Sequence, residues 1–172
     1  MTVKSALFAL LALASCTWGD SKSHVTSAEA RLKGAPGTEV RGTVTFTEVE
    51  GGVEVVAKIS GLQPGKHGFH IHEKGDCTAS DFNSAGGHYN PTNEPHASPD
   101  VDRRHIGDLG NLIADEQGIA HYHRVDNRLE LNGKHSIIGK GLIVHLKEDD
   151  FVTQPTGNAG ARVACAVIEA NN

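Results

Sequence analysis

VRGTVTFTEVEGGVEVVAKIS occupies residues 40–60. Val40, Gly42, Val44 and Phe46 alternate with polar residues; after Gly51-Gly52 the alternation resumes at Val53, Val55, Ala57 and Ile59. Side chains two apart in a strand share a face, so each run has one apolar and one polar side. Two such runs around a Gly-Gly turn predict an antiparallel hairpin.

Outward from this hairpin, short apolar or alternating runs recur at residues 119–125, 129–131, 137–146 and 163–168. No window carries a helical stripe. Seven or eight short antiparallel strands, by this pattern, predict an all-β domain, a Greek-key β-sandwich or flattened barrel. The composition agrees, with 20 glycines for tight turns and only 5% aromatic residues. The 172 residues suffice for one compact domain, placed at 26–172, with no internal repeat or low-complexity tract. Net charge is −5, and no basic stripe is interleaved with aromatics, which argues against a nucleic-acid partner.

Lys4 and the apolar run 6–14 have the form of a secretory leader, too short to span a membrane. Leu13-Ala14-Ser15-Cys16 resembles a bacterial lipobox. This predicts a signal peptide at 1–15, a lipid on Cys16 and a polar tether at 16–25. The protein would then be exported and anchored in a bacterial cell envelope, facing the periplasm. An ordinary leader with an incidental cysteine is the other reading.

Three cysteines in an exported chain are one too many for pairing. With Cys16 lipidated, Cys77 and Cys165 remain and can pair in an oxidising compartment. Cys77 could instead serve as a third metal ligand beside His70 and His72.

Between Glu73 and Leu109 the strand pattern disappears, in a stretch rich in Gly and Pro. A loop of that length in a compact domain is usually functional or disordered. It holds His88, His96, His105 and Asp108, whose three imidazoles and one carboxylate suit a closed four-coordinate zinc. On the preceding run, His70 and His72 project to one face while Phe69 and Ile71 point to the core. Val144 and Leu146 are expected to face inward, which turns His145 outward. If these runs are neighbours, three imidazoles converge, and with a fourth they suit Cu(II). A second pair, His121 and His123, has no loop donors around it and reads as a solvated strand face. A second irregular stretch, 147–161, follows His145.

The segments GKHGFHIHEKGDC, SAGGHYNP, HIGDLGNL, LIVHLKEDD and TGNAGARVACAVI resemble copper–zinc superoxide dismutase over about residues 26–170. The resemblance implies a β-sandwich, an architecture of which this family is itself a standard example. It implies one copper, on His70, His72, His88 and His145, and one zinc, on His88, His96, His105 and Asp108. His88 would bridge the two ions. Asp149 matches a carboxylate that links copper and zinc ligands, and Cys77 and Cys165 match the family's disulfide. Arg162 and His88 would be catalytic, Arg162 beside the open copper position. The implied reaction is dismutation of superoxide to dioxygen and hydrogen peroxide.

The chain departs from that pattern in places. The stretch from His145 to Arg162 is shorter than in animal cytosolic members, and their lysine steering cluster has no clear counterpart. Lys147 and Lys66 are the candidate substitutes. The early position of Cys77 looks more like bacterial exported members. A homodimer is one expectation, but dimers differ between branches of the family. A non-enzymatic copper and zinc buffering or delivery protein is the competing reading, against which Arg162 and the full copper set both argue.

Overall fold

The computed structural model describes residues 23–171. The leader at 1–15, the lipidation expected at Cys16 and most of the tether lie outside the described residues.

Nine strands run in the order β1 (Ser27–Gly34), β2 (Arg41–Val49), β3 (Gly52–Ser60), β4 (Gly65–His72), β5 (Asp108–Ala114), β6 (Ala120–Asp126), β7 (Gly141–His145), β8 (Arg162–Val167) and β9 (Glu169–Ala170). The hydrogen-bonded order is β2-β3-β6-β5-β4-β7-β8-β1-β9, and β2 also pairs with β1. The first eight strands therefore close into an antiparallel barrel, and β9 adds to the edge of β1. The connection from β3 to β4 passes over β6 and β5, and the one from β6 to β7 passes over β5 and β4. These crossings make the Greek key.

The hairpin at 40–60 forms as its alternation dictates. Val44 lies opposite Ala57 and Phe46 opposite Val55, all four buried. Gly42 belongs to the inward set for a reason of space. A Cβ there would lie 2.8 Å from the Ile59 Cα. Phe69 and Ile71 reach the core from β4, and Phe69 packs edge-on against Tyr122 at 5.4 Å. Tyr122 donates its hydroxyl to the Leu109 carbonyl, which satisfies the polar end of a largely buried ring.

Three sequence expectations need correction. Leu129 and Leu131 are buried but form no strand; the segment has only an isolated bridge between Glu130 and Ser136. The run 137–146 shortens to Gly141–His145. Leu146 does not face inward: it is 40% exposed, because the β7–β8 register shifts between Val144 and His145. The shift breaks the simple two-residue alternation on which the expectation rested. β1 and β5 were not predicted, since small and polar residues blur the alternation in both.

The stretch after β4 carries one turn of 3-10 helix, Asn83–Ala85, and is otherwise irregular up to β5. It is nevertheless stitched to the barrel. Ile71 N–H donates to the Gly107 carbonyl, Tyr89 N–H to the Ile71 carbonyl, and Gly107 N–H to the Tyr89 carbonyl. Cys77 and Cys165 form a disulfide with Cα atoms 5.8 Å apart, tying this loop to β8. The alternative of Cys77 as a metal ligand is thereby set aside.

Candidate metal centre

β4 and β7 are neighbours, with Phe69 opposite Val144 and His70 opposite Ile143. Their outward side is covered by the two long loops, so His70, His72 and His145 point away from the core yet remain buried. His88 joins them through a bridge to His72. Two four-residue groups result, His70, His72, His88 and His145, and His88, His96, His105 and Asp108, with His88 in both.

Hydrogen bonds determine which nitrogen of each ring is free. Carbonyl and carboxylate oxygens can only accept, so the ring nitrogen facing one carries the proton. His72 donates from Nδ1 to the Gly86 carbonyl at 2.9 Å, and His145 from Nδ1 to the Gly160 carbonyl at 3.1 Å. His70 donates from Nε2 to Asp149 Oδ2 at 2.7 Å. The opposite nitrogens, His70 Nδ1, His72 Nε2 and His145 Nε2, together with His88 Nε2, are buried and have no hydrogen-bond partner. Four bare lone pairs facing one another repel, and each unsatisfied polar atom costs about 1–3 kcal/mol. A divalent transition-metal cation answers both problems, and an all-imidazole set suits copper.

Burial, and then the neighbouring His88, hold His70 and His72 well below the ordinary histidine range. Burial brings His145 down to about 4 and also lowers His88. The set therefore stays neutral and ready to bind a cation at neutral pH.

The second group gathers around one oxygen. Asp108 Oδ1 lies 2.9 Å from His88 Nδ1, 3.0 Å from His96 Nδ1 and 3.3 Å from His105 Nδ1. Ligands at ~2.0–2.1 Å from a tetrahedral zinc stand roughly 3.3 Å from one another. The four atoms are thus spaced as such a site requires, and His96 Nδ1 has no hydrogen bond. Burial raises Asp108, but the three histidines outweigh it and hold the carboxyl far below its usual range. Burial pulls His96 down, yet Asp108 and Asp149 outweigh that and raise it to about 9.

Asp149 joins the groups. Its Oδ2 accepts from His70, and its Oδ1 accepts from His96 Nε2 at 2.9 Å and from the Phe151 N–H at 2.8 Å. Gly157, at φ 64°, leaves the room this carboxylate needs, since a Cβ there would fall on Asp149 Oδ1.

The sequence reading missed the residues that hold the loop in turn. Asn111 on β5 exchanges two hydrogen bonds with the Asp149 backbone. Arg104, buried and paired with Asp126, donates to the carbonyls of His105, Ile106 and Asp108. Asn111 lies within the quoted GDLGNL motif. A buried arginine in a loop, by contrast, has no signal in spacing.

A cleft reaches the first group and not the second. His72 and His145 line it with Asp81, Asn83, Thr156 and Arg162. Arg162 donates from Nη1 to the Phe82 carbonyl and from Nη2 to the Gly86 carbonyl, each at 2.6 Å. This fixes the guanidinium beside the open set. His121 and His123 are exposed, and His123 pairs with Glu54.

Barrel, disulfide-tied loop and paired nitrogen-rich sites with one shared imidazole define a two-metal β-barrel protein with one open and one closed site. Residues 40–168 match the family model described as copper/zinc superoxide dismutase (SODC). An extracellular superoxide dismutase [Cu-Zn] of Drosophila melanogaster is 44% identical, over 89% of this chain and 90% of that protein. A superoxide dismutase [Cu-Zn] of Paramecium bursaria Chlorella virus 1 is also 44% identical, over 92% of this chain and 88% of its own length. The crystal structure of the clock protein EA4 superposes with a TM-score of 0.81 at 42% identity, covering 89% of this chain and 99% of that one. The chain belongs to the copper/zinc superoxide dismutase family, and copper and zinc are its cofactors.

Proposed function

We infer that the protein dismutates superoxide, converting two superoxide anions and two protons to dioxygen and hydrogen peroxide. The observation that carries this reading is the open set of four unpartnered imidazole nitrogens beneath a cleft that also presents Arg162. His70, His72, His88 and His145 would hold copper; His88, His96, His105 and Asp108 would hold zinc. When bound, copper supplies alternate acceptance and donation of one electron, and zinc supplies fixed positive charge.

The chain's own groups do the rest. Arg162 attracts the anion, and with one N–H of each Nη occupied by a carbonyl, others remain to hydrogen-bond it. His88 presents Nε2 to the open set and Nδ1 to Asp108, so a proton is held at Nε2 in one half-cycle and released in the other. Asp149 fixes the rings of His70 and His96, as outer carboxylates do around metal-bound histidines.

The protein is also proposed to act outside the cytoplasm. The disulfide suits an oxidising compartment, and the insect relative is named as extracellular. Attachment to a bacterial envelope through a lipid on Cys16, and protection of that envelope from superoxide, rest on the sequence around residues 13–16. Mass spectrometry of the mature N-terminus tests it: a diacylglyceryl cysteine is expected, and a free N-terminus at another residue refutes it. Homodimer formation is a further expectation, read by sedimentation.

The activity is tested by superoxide loss with copper and zinc bound, against zinc-only and metal-free protein. Rapid copper-dependent turnover is expected. Full metal loading with no more turnover than free copper would favour a metal-buffering protein instead.

A further inference from the structure

We propose that Asp81 is a steering residue of the cleft, whose carboxylate opposes Arg162 and limits how fast the anionic substrate enters. The proposal rests on the dismutase reading. Among the described residues lining the cleft, Asp81 is the one acid, and Arg162 the one cation apart from histidines. Both are fixed by the same loop. Arg162 is clasped by the carbonyls of Phe82 and Gly86. Asp81, next to Phe82 in the chain, accepts from the Asn83 N–H at 3.0 Å and from Asn83 Nδ2 at 2.7 Å. Neither bond neutralises its charge, and the two together hold the carboxylate against its own turn. The rim therefore balances one negative charge against one positive, on a protein already at −5.

The lysine candidates bear on this balance. Lys66 is paired with Glu148 at 2.6 Å, half-exposed, and its charge is spent there. Lys147 runs its stem past Gly160, one of the residues lining the cleft. Beside the charge of the bound metals, the side-chain attraction that brings superoxide in comes from Arg162, with Lys147 at the edge, and Asp81 subtracts from it. Field focusing in a cleft governs anion encounter, an effect for which this family is itself a standard example.

The test is a charge series in the copper- and zinc-loaded protein, Asp81→Asn and Asp81→Lys. Asparagine keeps an oxygen to accept from the Asn83 N–H, so the loop retains its turn. At about 10 mM ionic strength, removing one charge near a water-filled path should raise the second-order rate about two- to threefold, and lysine should raise it further. The advantage should shrink by about 150 mM, where screening is far shorter-ranged. Azide affinity for the oxidised copper form, read by optical titration, should tighten in the same order. Rates and azide affinities unchanged across the series would overturn the proposal. A change of equal size at every salt concentration would also overturn it, since that marks a structural effect. If the parent protein fails to dismutate superoxide, the functional reading falls, while the azide titration still reports on Asp81.

Discussion

Arg104 places Nη2 2.8 and 2.7 Å from the two carboxylate oxygens of Asp126, and neither residue reaches solvent. The pair joins the barrel strand β6 to the loop that carries His105 and leads into Asp108 at the start of β5. Breaking such a pair from one side leaves a buried charge unmatched, which typically costs about 3–5 kcal/mol. Asp126→Asn should therefore destabilise the protein by that order in urea unfolding and speed zinc loss to a chelator. A variant as stable as the parent would contradict this.

Asp149 accepts from rings of both groups, whereas the carboxylate of its neighbour Asp150 accepts only from Val152 and Thr153. Asparagine at 149 can accept from one ring but turns an N–H toward the other. Asp149→Asn should weaken metal retention about 10–100-fold in competition with a chelator. Asp150→Asn should leave it unchanged. Gly157→Ala, pressing a methyl group onto Asp149, should follow the first variant.

Arg162 spends two N–H groups on the loop carbonyls, so its position depends on that loop. The Cys77–Cys165 bond closes the same loop onto β8, 88 positions apart in sequence. Cys165→Ser should cost about 2–5 kcal/mol of stability. It should also lower dismutation with both metals bound, because the guanidinium loses its fixed place. Full activity at normal metal content would separate the disulfide from the site.

The metal-free protein should show a stability maximum near pH 6–7. His145 is lowered to about 4 in the folded state, so between about 4 and 6.5 the unfolded chain binds more protons and stability falls as pH falls. His70 and His72 act in the same direction. His96 is raised to about 9, so between about 6.5 and 9 the folded chain holds the extra proton and stability falls as pH rises. Urea midpoints from pH 4 to 9 check this. A flat profile would show that the rings do not differ between the two states. Loading zinc should remove the alkaline fall, since the metal displaces the proton of His96, whereas the acid limb should steepen, since protons compete with metal for every ring.

Part of the fold is legible in the sequence. The period-2 runs at 40–60 specified a hairpin, because alternation places one face in the core wherever a strand forms. His70 and His72 could be put on one side of a strand for the same reason. β5 was not readable. Its Asp108, Gly110 and Asn111 are small or polar and interrupt the apolar pattern. Leu146 misled the reading because a register shift is a property of two paired strands and leaves no mark on either alone.

By itself, then, the sequence determined a β domain with a histidine-rich loop, a family resemblance and the residue types able to hold metal. Tertiary structure decided which nitrogen of each ring is free, because that depends on carbonyls and carboxylates distant in the chain, such as Gly160 for His145 and Asp149 for His70. It also decided that Arg104 is buried and Asp81 shares a cleft with Arg162. Local propensity acts over a few residues, whereas proton placement and charge balance are set by whatever the fold brings within a few ångströms.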